Sequence, residues 1–599
     1  MGRHRVGPTI PLPRLLLLAT LVALAAPPAW GAPPAAVPTA VTRAHVFYVR
    51  GRLAEQKSDW RAALEAYRAA VAADPRAPSL RVALAEARAR TGDLPGAEAA
   101  AREAIDLDPS GPAAAEAWLI LGRTATIARR PADAERALRS AIEVQSALAA
   151  KRPAGQSPLD PDPWRLLAQV RLDAGDVPGA EAVLEDLAGR APAEGGPALR
   201  DLGRVLADQR DPDRAAALYR KALRFERRDT EAWRRLAELE ETRRRFDDAR
   251  AAWAGLVRQD PDDVEGLVAL GRLALRTGNV DGARAYFDQA VHVGGDEVAV
   301  RTRVAFAWLD ARRPGEAIAV VDEGFRSSVD PRLLYVRGLA LREERRWEEA
   351  AAAFGAVATG DPELDGAAVA ARAAVLAQGG KAAEGLSLLD AALRERPGDA
   401  RLVTARAYVL ERTGRAAEAV AYLRKQLRSQ PRSERLLFAL GIAQDRAGDR
   451  PGAIVTMREI LALEPENAEA MNYVGYSLAE KGERLDEAEV LVTRALELEP
   501  DNGSFLDSLG WIRFQRGDVA GAIALLERAE ALAGPEPTIL EHLGDAYQRS
   551  HRETDAARAY RRALQALDDG AEPDVPGQRA GIEKKLRELP GGDVRPARR

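Results

Sequence analysis

Five histidines, His4, His45, His292, His542 and His551, are the side chains of this chain best suited to metal or acid–base chemistry. No two stand at helical ligand spacing beside a carboxylate, and His-Glu-x-x-His is absent. Gly379-Gly380-Lys381 ends like a phosphate loop, but the earlier glycine and the following Ser or Thr are missing, so it reads as an interhelical turn. Asp507-Ser508-Leu509-Gly510 lacks the leading glycine of a nucleophile elbow, and Ser508 is expected to face a neighbouring helix. Asn502-Gly503-Ser504 has the form of a glycosylation acceptor and is more simply a turn. Arg243-Arg244-Arg245 lies beside Asp247 and Asp248 and reads as a solvated, self-paired face. These motifs predict no catalytic residue, no metal site and no cofactor, hence a non-enzymatic protein.

Composition narrows the classes further. The 599 residues carry 87 basic and 91 acidic side chains, a net charge of −4, which gives no bulk reason to bind nucleic acid. There is no cysteine, so disulfides, Cys-ligated zinc, Fe–S clusters, cysteine nucleophiles and a lipoprotein anchor at a processed cysteine are all excluded. Aromatics make up only 5%, and abundant Ala, Leu, Arg and Glu favour helix.

The chain opens with Arg3, Arg5 and Arg14, followed by the apolar run Leu15–Ala26. About a dozen residues are too few for the roughly 20 of a spanning helix. The run fits a secretory signal, with Ala29 and Gly31 as the small residues before cleavage at Ala32; the alternative is an uncleaved anchor. Export to the periplasm or the medium, or a peripheral place at the outer membrane, is the expectation.

Periodicity dominates the remainder. Pro397, Pro431 and Pro465 are 34 apart, and Pro500 follows 35 later. Gly441, Gly475 and Gly510 step by 34 and 35, and Ala215, Ala249, Ala283 and Ala317 by 34. Within one unit, Leu437, Leu440, Gly441 and Gln444 share a helical face over Glu434–Ala447. Gly448-Asp449-Arg450 breaks that helix, Pro451–Leu463 forms a second, and Glu464-Pro465 stops it. Such a hairpin cannot bury its own face alone, and it must stack on copies of itself.

The spacing resembles the tetratricopeptide repeat. The clearest matches are Trp233-Leu236-Ala237-Ala249-Trp253-Pro261, Leu270-Gly271-Ala283-Phe287-Ala290 and Leu543-Gly544-Tyr547-Ala556-Tyr560-Ala563. The resemblance implies an all-α, right-handed α-solenoid of about fifteen hairpins, from Ala44 to about Leu567. The expected organisation is a signal peptide (1–31), a disordered leader (32–43), N-terminal repeats (44–148) and a Pro-rich loop or hinge (149–163). The main solenoid (164–567) follows, then a capping helix around Gln578–Leu589 with a disordered tail (568–599).

The resemblance also places certain first-helix positions on the concave groove. In the N-terminal repeats these are polar: Arg165, Gln169, Arg200, Arg204, Arg234 and Glu238. Later repeats put Tyr335, Leu339, Tyr408, Phe438, Ile442, Asn472, Tyr476, Asp507, Trp511 and Phe514 there. In a chain poor in aromatics this concentration marks a partner-binding groove, and Asn472 and Asp507 could bond an extended peptide. The alternative is that these residues pack against the next repeat. One block, Asn472–Ala479 with Arg484–Ala488, Ala495–Gly503 and Leu506–Trp511, is similar to one in long exported bacterial tetratricopeptide proteins. Among these is the lipoprotein adaptor of a carboxyl-terminal processing protease. A cell-envelope scaffold or adaptor that binds other proteins is therefore expected, possible versions being recruitment of a periplasmic protease, a scaffold for exopolysaccharide export, or a peptide-binding chaperone.

Overall fold

The computed structural model describes residues 39–151, 159–295, 297–326, 329–569 and 577–590. Among them are thirty-one α-helices, numbered α1 to α31 in chain order, and no strand. Odd- and even-numbered helices alternate as the first and second members of fifteen successive hairpins, and α31 (Gln578–Glu588) follows the last pair. The fold is the expected all-α solenoid. The helices fall into two compact units whose boundary lies inside α12 (Phe246–Gln259), after Ala252.

Each hairpin turns through the left-handed region, at one residue in every turn but one. Eight of the fifteen turns use glycine there, including Gly380, Gly414, Gly448 and Gly517, because only glycine takes that backbone without a Cβ clash. The others use Ser58, Arg129, Arg210, Arg244, Arg312, Arg345 and His551. The 35-residue step near Gly482 has a visible cause, since this turn holds two left-handed residues, Gly482 and Arg484. An aspartate then starts many second helices, as where Asp449 accepts from the Gly452 backbone N–H at 3.0 Å.

The two helices of a hairpin interlock through a small residue on the first and a large one on the second. Tyr219 packs on Gly203 in the first unit; in the second, Phe287 packs on Gly271 and Tyr560 on Gly544. A Cβ built at Gly544 would lie 2.3 Å from the Tyr560 ring, so the contact exists only because that position has no side chain. Tyr219, Phe287 and Tyr560 are all buried, which gives each hairpin an aromatic centre.

Four sequence boundaries move. The leader ends sooner than expected: α1 (Ala40–Gln56) begins at Ala40 because Thr39 caps it, its hydroxyl accepting from the Thr42 backbone N–H. The Pro-rich segment begins later, because α6 (Pro131–Ala150) runs on as a 20-residue helix of good helix formers. It also ends sooner: Asp162 and Pro163, placed in the loop, open the first turn of α7 (Asp162–Asp173), where proline is tolerated. The last hairpin extends through α30 (Glu553–Asp568). The signal-peptide segment, the leader up to residue 38, and residues 152–158, 570–576 and 591–599 lie outside the described residues. The capping helix is α31: Ile582 and Leu586 are buried in the core of the last hairpin, and the Lys585 ammonium donates to Glu541 and Asp545 at 2.7 Å each.

Candidate functional site

In the second unit the first helices from Pro331 onward are α17 (Pro331–Glu343), α19 (Pro362–Gln378), α21 (Ala400–Arg412), α23 (Glu434–Arg446), α25 (Ala468–Glu480), α27 (Gly503–Gln515) and α29 (Pro537–Arg549). Of these, α19 and α21, α21 and α23, α25 and α27, and α27 and α29 pack on one another. The second helices here stand further apart, so the row is tighter on the first-helix side and that side is the inside of the curve.

Repeat-equivalent positions on these helices form ladders with steps of 34 or 35 residues. One runs Tyr335, Ala370, Thr404, Phe438, Asn472, Asp507; a second runs Leu339, Ala374, Tyr408, Ile442, Tyr476, Trp511. A third runs Ala371, Ala405, Ala439, Tyr473, Ser508, His542. Where all three hold alanine, on α19, the face is hollow. Where they hold large residues, on α25 to α29, it is filled.

The hollow is an open cleft of about 660 Å³. Its floor is Ala367, Ala370, Ala371 and Ala374 of α19 with Ala405 and Ala439, and Tyr335, Tyr408 and Ile442 rise beside it. Tyr335 meets Phe354 edge-on at 5.4 Å, and the Tyr408 hydroxyl accepts from the Gln378 amide at 3.0 Å, so both rings are held in place. Arg342, Arg401 and Arg435 also line the cleft. Glu411 is its one acidic lining residue, and burial pushes the carboxyl up to about 7 against the pull of Arg446.

The filled end is different. Asp507 is buried and its carboxylate takes the His542 Nδ1 at 2.9 Å. The His542 ring stacks on Trp511 at 4.1 Å, Trp511 stacks on Phe514 at 4.8 Å, and Tyr476 lies 6.1 Å from the imidazole. Burial disfavours a charged His542, but the Asp507 carboxylate, with Asp545 and Glu541 beyond it, outweighs this and holds the imidazole above its ordinary range. The result is an aromatic patch seated on a buried Asp507–His542 hydrogen bond.

The expected groove residues therefore divide. Tyr335, Tyr408 and Ile442 line one cleft. Leu339 and Phe438 are half-buried and lean on hairpin cores. Tyr476, Trp511 and Phe514 are half-buried and gather around His542. Asn472 is half-buried, its Oδ1 shielded from solvent and without a hydrogen bond. Asp507 is the exception: expected to face a peptide, it is turned inward, because His542 on the next first helix offers a donor at bonding distance. In the first unit, Arg165, Gln169 and Arg204 line a smaller cleft of about 270 Å³. Arg200 is instead paired with Asp229 at 2.7 Å.

Sequence reading missed His542, Glu411 and the alanine floor. The ladders carried the signal for all but Glu411, since three alanines in register announce a hollow, and a histidine one repeat beyond an Asp-Ser pair can reach back to it. Of the motifs set aside, Ser508 donates to the Ser504 carbonyl and Asn502 caps α27, as turn and packing residues do.

A tetratricopeptide repeat family profile matches residues 48–112, 128–195, 200–254, 235–298, 307–365, 370–434, 438–503, 478–537 and 508–572. The chain belongs to the tetratricopeptide repeat family. Its fold is that of a protein–protein interaction scaffold. A TPR repeat-containing protein of Pseudomonas aeruginosa is 38% identical over 76 residues, which is 13% of this chain and 13% of that protein. The match thus spans about an eighth of the relative's length. Among solved structures, a chain of the APC/C hetero-tetramer Cut9–Hcn1 is 14% identical, with 91% of this chain and 97% of that one covered and a TM-score of 0.33. A chain of Naa15/Naa10 bound to HypK-THB is 14% identical, with 92% and 100% covered and a TM-score of 0.33. A tetratricopeptide repeat protein from Parabacteroides merdae is 16% identical, with 43% and 97% covered and a TM-score of 0.33. No helix among the described residues is long and apolar enough to cross a membrane.

Proposed function

We propose that this tetratricopeptide protein is a non-enzymatic adaptor of the bacterial cell envelope that holds partner proteins on the inner face of its C-terminal unit. One observation carries the reading: Tyr335, Tyr408 and Ile442, from three different first helices, line a single open cleft. Rings exposed on one side and braced on the other are the kind of anchor that dominates protein interfaces. The tetratricopeptide fold of the family supports a protein as the ligand. The N-terminal Leu15–Ala26 run supports export, and the Asn472–Trp511 block supports recruitment of a periplasmic processing protease as the most specific version.

Crosslinked pull-down of the C-terminally tagged chain from its native cells, read by mass spectrometry, tests this. A stoichiometric serine protease, with cell-wall hydrolases behind it, is the expected result. Polysaccharide-synthesis components would replace the protease with an export scaffold, and a diffuse set of exported chains would make the protein a chaperone. Turnover of a substrate by the purified chain alone would overturn the non-enzymatic reading.

A further inference from the structure

The cleft over α19 combines an alanine floor, an arginine rim and one half-buried carboxyl. Its volume of about 660 Å³ is within the roughly 300–1,000 Å³ typical of formed ligand sites. It crosses four first helices, α17 to α23. At about 9 Å between helix axes this is a trough of roughly 30 Å, the length of about nine extended residues. The alanine floor leaves room for backbone and small side chains, and a larger side chain on α19 would occupy the same space.

The charge is lopsided. Arg342 pairs with Glu343 at 2.9 Å and Arg401 with Glu363, while the exposed Arg435 has no ion pair among the described residues. Glu411 is the acidic group among the lining residues, and its burial keeps it mostly protonated at about pH 6, so it does little to cancel the arginines there. The charged residues that line the cleft with it are Arg342 of α17, Arg401 of its own helix and Arg435 of α23, and Arg446 of α23 is the charge that acts on it; the α19 lining is alanine and Gln378.

We infer that this cleft takes an extended acidic segment of a partner protein, with small side chains over the alanine floor and carboxylates against Arg435 and Arg401. The inference rests on the inner face being the binding face. Arginine suits the task, since its fork can hold a carboxylate through two hydrogen bonds.

Fluorescence anisotropy on the full chain, with labelled ten-residue peptides of alternating Asp and Ala, Lys and Ala, or Ser and Ala, tests it. The Asp peptide is expected to bind about tenfold or more tightly than either other peptide, and Arg435→Gln to weaken it about fivefold. Because Arg435 is exposed and unpaired, that variant keeps its fold, which circular dichroism verifies. Raising the pH from about 6 to about 8 ionises Glu411 and weakens the Asp peptide about threefold in the parent but not in Glu411→Gln. Equal binding of the three peptides, no binding of any, or indifference to Arg435→Gln overturns the inference. If a cellular partner still crosslinks at position 408 while the Asp peptide fails to bind, the acidic-segment inference falls and the binding face stands; if neither is seen, both fall.

Discussion

The cleft over α19 and the aromatic patch over α27 and α29 occupy corresponding positions on the same inner face, yet one is open and the other filled. On α19 the ladders carry Ala370, Ala371 and Ala374, and a cleft opens over them beside Tyr335 and Tyr408. Further along they carry Asn472, Tyr473 and Tyr476, then Asp507, Ser508 and Trp511, with His542 closing the space below. A repeat fold leaves these positions free, because the hairpins hold together through contacts between a small residue and a large one behind them. What stands there decides whether a stretch of groove binds outward or packs inward. The open stretch is a site for a ligand, and the filled stretch is first a structural element.

Breaking the filled end has the largest effect on stability. His542→Ala leaves the Asp507 carboxylate buried without a partner and is expected to cost about 3 kcal/mol, read as lost hydrogen-exchange protection over α27 to α30. Local exchange is the suitable measure, since stacked repeats need not unfold in one step.

Next is the hairpin behind each stretch. Gly544→Ala drives a methyl into the Tyr560 ring and is expected to cost about 2 kcal/mol by the same measurement. In the open stretch the equivalent positions already hold Ala373 and Ala407, packed in clusters with Leu389 and Leu423, so changing either to glycine loosens its hairpin by about 1 kcal/mol.

The pH response separates the two stretches. His542 is raised above its ordinary 6.5, so its contribution is complete below about 6.5 and is lost as pH rises through the folded value. Glu411 is also raised, from 4.5 to about 7; its folded form holds the proton more tightly, and stability falls as pH rises across that window. Exchange over α21 should therefore quicken between about pH 4.5 and pH 7, and exchange over α29 above about 6.5, beyond the intrinsic pH dependence. His542→Ala should flatten only the second response and Glu411→Gln only the first.

The smallest effects on stability come from one turn of the filled end and from the floor of the open stretch. His551→Gly relieves an exposed left-handed histidine and is expected to gain about 0.5 kcal/mol in thermal or urea unfolding. Ala374→Leu fills space that is already empty, so stability should stay within about 0.5 kcal/mol while partner binding is lost.

Much of this architecture was legible before any coordinates. Three residue types shared one period, and breakers marked the turns, so the number of hairpins and most of their ends followed. The aromatic concentration on the first helices was legible for the same reason. What the periodicity could not reveal was contact between repeats. Asp507 looked like a groove residue until His542, on another first helix, reached it. Alanine reads everywhere as a helix former, so its use as a hollow on α19 is seen only when the repeats are set in register. Glu411 is an ordinary helical carboxylate in sequence, and its altered proton affinity comes from burial by other helices.

The central claim is that partners are held on the inner face at the open cleft. A photo-crosslinking amino acid placed at Tyr408, and in a separate variant at the exposed Val455 on the second helix α24 (Arg450–Leu463), tests it most directly in native cells. The account predicts a discrete protein adduct from position 408 and none from 455. An adduct from 455 alone, or the same adduct from both positions, would contradict it.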